Sequence, residues 1–215
     1  NAGKWGTDRT VRAEFLYWLC TDLEVSKHIH AKGVRIGGAK IAGALDFEDA
    51  VLSHPLALVG CALADGITLV DARMRSLNLS GSRTGRISAD GLKTAGDVFL
   101  RDGFHAEGEV RLPGADIGGQ LDCTGATFSN PKGDALNAEG LKTAGSVFLR
   151  KGFRAEGEVR LLGADIGGQL SCIGATFSNP KGEALNADGL KTAGDVFLRG
   201  GFHAEGEVRL LGADI

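Results

Sequence analysis

From Val34 to the end of the chain, apolar residues recur at spacings of two and then three, not the three and four of a helix. The stretch VRLLG ADIGG Q LSCIG ATFSN, from Val159, reads as five-residue words with a small or apolar residue first and an apolar residue third. On an extended segment those two positions point the same way. The pattern therefore predicts short strands with a corner every five residues, each strand sending two side chains inward. The words run back through VRIGG AKIAG from Val34, LDFED AVLSH from Leu45, LALVG CALAD from Leu56 and ITLVD ARMRS from Ile67. Thirty-two words fit between Val34 and Ile215, the last one cut short.

A slower period overlies the words. A shift of 49 residues aligns Leu100 with Leu149 and Leu198, Val110 with Val159 and Val208, Cys123 with Cys172, and Phe128 with Phe177. Repetition on that scale marks a solenoid, in which each unit buries its apolar side only by stacking on the next.

Words such as ADIGG, ATFSN and AKIAG resemble those of the pentapeptide-repeat family, over about Val34 to Ile215. The resemblance implies an all-β fold, a right-handed parallel quadrilateral β-helix with four words per coil. Thirty-two words then make about eight coils, and at the strand spacing of about 4.8 Å the rod is roughly 40 Å long. Two words depart from the pattern: GFHAE puts His105 and His203 in the inward third position and LKTAG puts Thr there, with Phe104, Phe153 and Phe202 filling the core from a distorted corner. RAEFLYWLCTD, VRIGGAKIAG and AEGEVRLLGADIGGQL are also similar to a narrower bacterial group often labelled membrane-associated oxidoreductases. That likeness implies more residues and an apolar membrane segment after the β-helix, and the label implies redox chemistry.

Counting faces makes the interruptions informative. Single extra residues at Asp97, Gln120, Ser146, Gln169 and Asp195 fall between face four and the next face one. Longer ones fall between faces two and three: Gly-Glu after Glu107, Glu156 and Glu205, and PKGDA or PKGEA after Asn130 and Asn179. One corner is thus expected to carry a ridge of acidic turns and Pro-Lys-Gly loops. Ahead of the words, GTDRTVRAEFLYWLCTDLEV reads as an amphipathic helix, with Thr7 or Asp8 as N-cap and Val11, Phe15, Trp18 and Leu19 on one face. Residues 1–33 are read as a helical cap and lead-in over the first coil, and residues 34–215 as the β-helix, stopping in mid-repeat.

Composition fits a corner-rich globular chain. Glycine supplies 34 of 215 residues and apolar types 43%, about twice the usual glycine and enough apolar content for a core. Lys plus Arg is 24 against 27 for Asp plus Glu, interspersed, so nothing draws the chain to nucleic acid.

Candidate chemistry is sparse. GVRIGGAKIAG and GADIGG lack the spacing and following helix of a dinucleotide loop and read as turn glycines. Cys123 and Cys172 share a face two coils apart, about 10 Å, too far for a disulfide. Cys61, in a first position, is also read as inward and Cys20 lies on the cap helix; there is no C-x-x-C, and four unpaired thiols point to a reducing, cytoplasmic location. His28 and His30 have no third metal ligand nearby, and no Ser-His-Asp grouping can be placed. The columns Glu109, Glu158, Glu207 and Asp116, Asp165, Asp214 read as a solvated face, and Lys93, Lys142 and Lys191 add a positive row that interrupts the negative charge.

No catalytic, cofactor or metal site is expected. The leading reading is a non-catalytic scaffold that presents rows of side chains to a protein partner. Its contact residues are taken from the ridge: Glu107, Glu109, Pro131, Lys132, Glu156, Glu158, Pro180 and Lys181. Two alternatives stay open: a DNA-mimicking inhibitor of a topoisomerase such as gyrase, which the first resemblance suggests, and an oxidoreductase, which the second suggests. Self-association, end to end or two-fold, is expected through the coil near Ile215, where an open strand edge invites pairing.

Overall fold

The computed structural model describes residues 9–215. From Val34 on, each coil runs along four faces, the first four coils with four separate short strands, and eight coils stack into a parallel β-solenoid. Face one is an eight-stranded sheet whose column reads Val34, Leu56, Leu77, Val98, Leu121, Val147, Leu170, Val196. Face four is a seven-stranded sheet, and faces two and three share a thirteen-stranded one. They are joined because four late strands run straight through the corner between them: Thr127–Asn137, Arg154–Arg160, Thr176–Asn186 and His203–Arg209. Backbone hydrogen bonds tie each coil to the next, as where the Val98 and Leu100 amides donate to the Gln120 and Asp122 carbonyls at 3.0 and 2.9 Å.

The core explains why the repeat is 49 residues and not one coil. On face two, Phe104 and Ala106 point inward in one coil, Ala126 and Phe128 in the next, then Phe153 and Ala155, then Ala175 and Phe177. The register sets each large residue against a small one, Ala106 beside Phe128 and Phe128 beside Ala155. The five rings from Phe104 to Phe202 climb the lumen edge to face, with centroids 5.1 to 6.0 Å apart, the arrangement aromatic quadrupoles favour. Face four alternates likewise, with Leu92 and Thr94 below Ala115 and Ile117, then Leu141 and Thr143 below Ala164 and Ile166. The inward Thr in LKTAG is satisfied locally: Thr94 and Thr143 Oγ1 donate to the Gly96 and Gly145 carbonyls at 2.6 and 2.7 Å.

The corners correct the word count at GFHAE. Strand register pairs His105 with Arg83 and Thr127 on the outside and Ala106 with Thr84 and Phe128 on the inside. Phe104 is therefore the first inward residue of its word and His105 points outward. One residue assigned to the Gly-Glu turn belongs instead to the corner between faces one and two. There Asp102 and Gly103 both take positive φ, 57° and 82°, as do Lys151 and Gly152 at 51° and 86°. That left-handed step lengthens the corner and swings the phenyl ring into the lumen. The single extra residues at Asp97, Gln120, Ser146, Gln169 and Asp195 lie between faces four and one, as expected.

At the start of the chain β1 (Thr10–Arg12) comes first, pairing parallel with Lys40–Ala42 and covering the open edge of face two. α1 (Ala13–Thr21) and α2 (Leu23–Ser26) follow, with Asp22 Oδ1 accepting from the Glu24 and Val25 amides to start α2. The proposed caps Thr7 and Asp8 lie outside the described residues. The helix face differs in part from expectation: Leu19 and Val11 pack against the core, Val11 from the strand, but Ala13, Leu16 and Cys20 are the buried helix residues, while Phe15 and Trp18 are 46% and 47% exposed. With Val11 drawn into the sheet beside Ile41, the helix starts one turn later and presents the face beginning at Ala13.

Truncating Phe128 to Ala is expected to cost about 3–5 kcal/mol in urea unfolding, whereas Phe15→Ala, on the exposed side of α1, stays within about 0.5 kcal/mol of wild type.

Candidate functional site

The corner between faces two and three holds the ridge, and the register shows how it is built. Between the paired positions Thr127 and Leu136 the chain takes nine steps, where the next coil takes five from Arg154 to Val159. The surplus is thrown outward as Pro131, Lys132 and Gly133, and again as Pro180, Lys181 and Gly182 one repeat later. Each loop is closed by its own asparagine: Asn130 Nδ2 donates to the Asp134 carbonyl, and Asn179 Nδ2 to the Glu183 carbonyl, both at 2.9 Å. Each loop also rests on a glycine of the following coil. Gly157 has φ of 125°, and a Cβ there would run into the Asn130 and Gly133 carbonyl oxygens; Gly206 lies under the second loop in the same way. The acidic turn Glu-Gly-Glu is thus the seat on which the Pro-Lys-Gly loop sits.

The outward column beside the loops reads Glu107, Ser129, Glu156, Ser178, Glu205. The serines separate the carboxylates and bind them. Ser178 Oγ donates to Glu205 Oε2 at 2.7 Å, and Ser129 Oγ donates to Glu156 in the same manner. The Ser178 hydrogen bond holds the Glu205 carboxyl below its ordinary range, with His203 adding to it against desolvation. Glu107 has Arg83 at 3.6 Å and His105 at 3.7 Å and stays exposed. Pro131, Glu156, Ser178, Asn179, Pro180 and Lys181 together line a cleft of about 420 Å³ between the two loops.

The eight expected contact residues therefore divide. Pro131, Glu156, Pro180 and Lys181 meet at the cleft, Lys132 is exposed on the first loop, and Glu107 stands two coils earlier in the same column. Glu109 and Glu158 do not join them, with side chains only 16% and 17% exposed. They belong to an ion-pair ladder on face three. Arg111 bridges Asp90 at 2.9 Å and Glu109 at 3.3 Å, Arg160 bridges Glu139 at 3.5 Å and Glu158 at 3.3 Å, and Arg209 bridges Glu183 at 2.9 Å and Asp188 at 2.6 Å. Burial, with Asp134 and Glu183 nearby, raises the Glu158 carboxyl above its usual range although Arg160 opposes it.

A further outward row went unremarked in the sequence. The word VFLR at 98, 147 and 196 places Phe and Arg two apart on one strand face, and Arg101, Arg150 and Arg199 lie 4.3, 3.8 and 4.7 Å over the rings of Phe99, Phe148 and Phe197. Two-residue spacing on a strand was the available signal. Between the first two rings stands Asp122, held by Arg101 at 3.0 Å and by the Thr124 amide at 3.0 Å. Burial works to raise this carboxyl, but the Thr124 and Arg101 hydrogen bonds win and hold it below its ordinary value.

The four cysteines are free and buried. Burial raises the Cys61 thiol, pushes Cys20 up to about 11 and Cys172 up to about 12, and lifts Cys123 well above its ordinary value. His30 Nδ1 accepts from the Lys32 amide at 3.1 Å. Among the described residues no three His, Cys, Asp or Glu side chains are grouped to hold a metal ion, and no helix is long and apolar enough to cross a membrane. Fold and site define a helix-capped parallel β-solenoid with charged and aromatic rows on its faces. Comparison with protein-family models, with curated proteins and with solved structures finds no match.

Gly157→Ala is expected to cost about 1–3 kcal/mol through strain and lost seating of the loop, seen in urea unfolding together with faster amide exchange at Lys132 and Gly133. Asp122 supplies a pH test. Its folded carboxyl titrates below the ordinary range, so its stabilisation is complete above that range and is lost as pH falls through the folded value. The gap between wild type and Asp122→Asn in urea titrations should therefore narrow as the solution is acidified.

Proposed function

We propose that this chain is a pentapeptide-repeat scaffold, non-catalytic and cytoplasmic, whose ridge takes a protein partner. The observation that carries the reading is the cleft between the two Pro-Lys-Gly loops. Its two loops are built from the same parts, each braced by an asparagine and seated on a glycine, so its shape is set before binding and little ordering is needed on association. The two prolines offer apolar faces, Glu156 an acidic wall and Lys181 a basic rim. That combination suits an extended peptide segment with an apolar side chain between the prolines and a basic group against Glu156.

Other features favour a binding module over the alternatives. Thiols raised by burial carry little thiolate, the form nucleophilic or redox work requires. On face three Arg111, Arg160 and Arg209 neutralise the carboxylates that would have to run on unbroken to imitate a DNA backbone. Four free thiols suit a reducing compartment.

The test is a photo-crosslinking amino acid at Lys181 in the native host, with the same group at Arg35, exposed on face one, as control. The reading expects one discrete crosslinked protein from position 181, absent from position 35 and lost on Glu156→Lys. No adduct at 181, or equal adducts at both positions, would contradict it.

A further inference from the structure

Face four carries an outward column whose signs alternate over six successive coils: Lys93, Asp116, Lys142, Asp165, Lys191, Asp214. All six are exposed. None enters an ion pair or a side-chain hydrogen bond among the described residues, although strand neighbours lie about 4.8 Å apart. The outward positions beside them are Ala95, Gly118, Ala144, Gly167 and Ala193, all exposed and small, so nothing stands above the charges to keep a flat surface away. Face three, by contrast, has its charges tied in bridges. Arg73 precedes the column as a second cation, so the alternation begins at Lys93.

We infer that face four is a docking surface for a second copy of this chain, packed antiparallel about a two-fold axis between the Lys142 and Asp165 levels. A column of alternating sign is complementary to itself when reversed. Lys142 then faces Asp165 of the second copy, Asp116 faces Lys191, Lys93 faces Asp214, and the axis repeats each pair, giving six. Slid by one coil, every pair within the column becomes like-charged, with Arg73 against Asp214 the sole opposite pair in one direction; slid by two, two pairs are lost. Side-by-side parallel copies on a two-fold place like on like, so only the reversed arrangement closes. From Lys93 to Asp214 the column spans five steps, about 24 Å, and a three-residue strand is about 10 Å wide. The contact is therefore near 250 Å² per copy, well under the roughly 800 Å² of a standard interface. The dimer is weak and salt-sensitive, its charges fixing register more than supplying affinity.

Sedimentation velocity at about 0.5 mM protein in about 20 mM and about 500 mM salt tests it on wild type, Lys142→Asp and the double variant Lys142→Asp/Asp165→Lys. Both side chains are exposed and unpaired, and thermal melts verify that the variants fold. Wild type is expected to move toward twice the 22.3 kDa monomer at low salt and return at high salt. Lys142→Asp should weaken association about tenfold or more, and the double variant, whose facing pairs are merely inverted, should recover to within about threefold of wild type. A monomer under all conditions overturns the inference, as does association indifferent to Lys142→Asp, which would place the contact elsewhere, such as the end coil. Failure of the double variant to recover overturns the two-fold register.

Discussion

Parallel strands stacked about 4.8 Å apart give every inward side chain a neighbour directly above and below. The lumen is narrow and filled from four sides, so each floor has to hold a fixed volume and the floors have to interlock. From Phe104 on, the chain meets this by giving each face two inward positions and trading the large residue between them from coil to coil. Phe104 over Ala106 is followed by Ala126 over Phe128, and the rings meet edge to face instead of competing for one column. The 49-residue repeat, the left-handed corner at Asp102 and Gly103, and the closing of coils by face-four threonines all follow from keeping that alternation in step.

Much of the fold was legible because this constraint writes itself into sequence as apolar residues two apart with a corner every five. Eight coils, inward cysteines at 123 and 172 and the position of the single-residue interruptions could be counted directly. What misled was local. GFHAE can be split with either Phe104 or His105 inward, and only the positive φ at Asp102, a backbone property no residue type dictates outside glycine, selects the first. On the opening helix an apolar stripe through Phe15 and Trp18 competes with one through Ala13, Leu16 and Cys20. The strand formed by Thr10–Arg12 decides between them, and strand pairing with Lys40–Ala42 is a long-range event that no window shows.

The site was half legible for a similar reason. Insertions announce themselves as breaks in the word count, so the corner loops that carry Pro131, Lys132, Pro180 and Lys181 could be placed. Glu109 and Glu158 sit beside them in sequence yet turn onto face three, where arginines from the same and neighbouring coils take them up. In a solenoid, function lies in what the outward rows leave unpaired, and that depends on contacts between coils as much as on residue type. Face three is closed in this sense, while the ridge loops and face four keep exposed charges free of ion pairs.

The central claim, that the two inward positions of a face-two coil share room for a single ring, is tested most directly by a double-mutant cycle of Phe153→Ala and Ala155→Phe followed by urea unfolding. Removing the ring should cost about 3–5 kcal/mol and adding a second about 1–3 kcal/mol. The combined variant should fall short of their sum by at least about 1 kcal/mol, because loss of Phe153 frees its floor, yet stay well below wild type, because the new ring shares one column with Phe128 and Phe177. Simple additivity, or an Ala155→Phe protein as stable as wild type, would show that the lumen has room to spare and that the alternation is not what holds the coils in register.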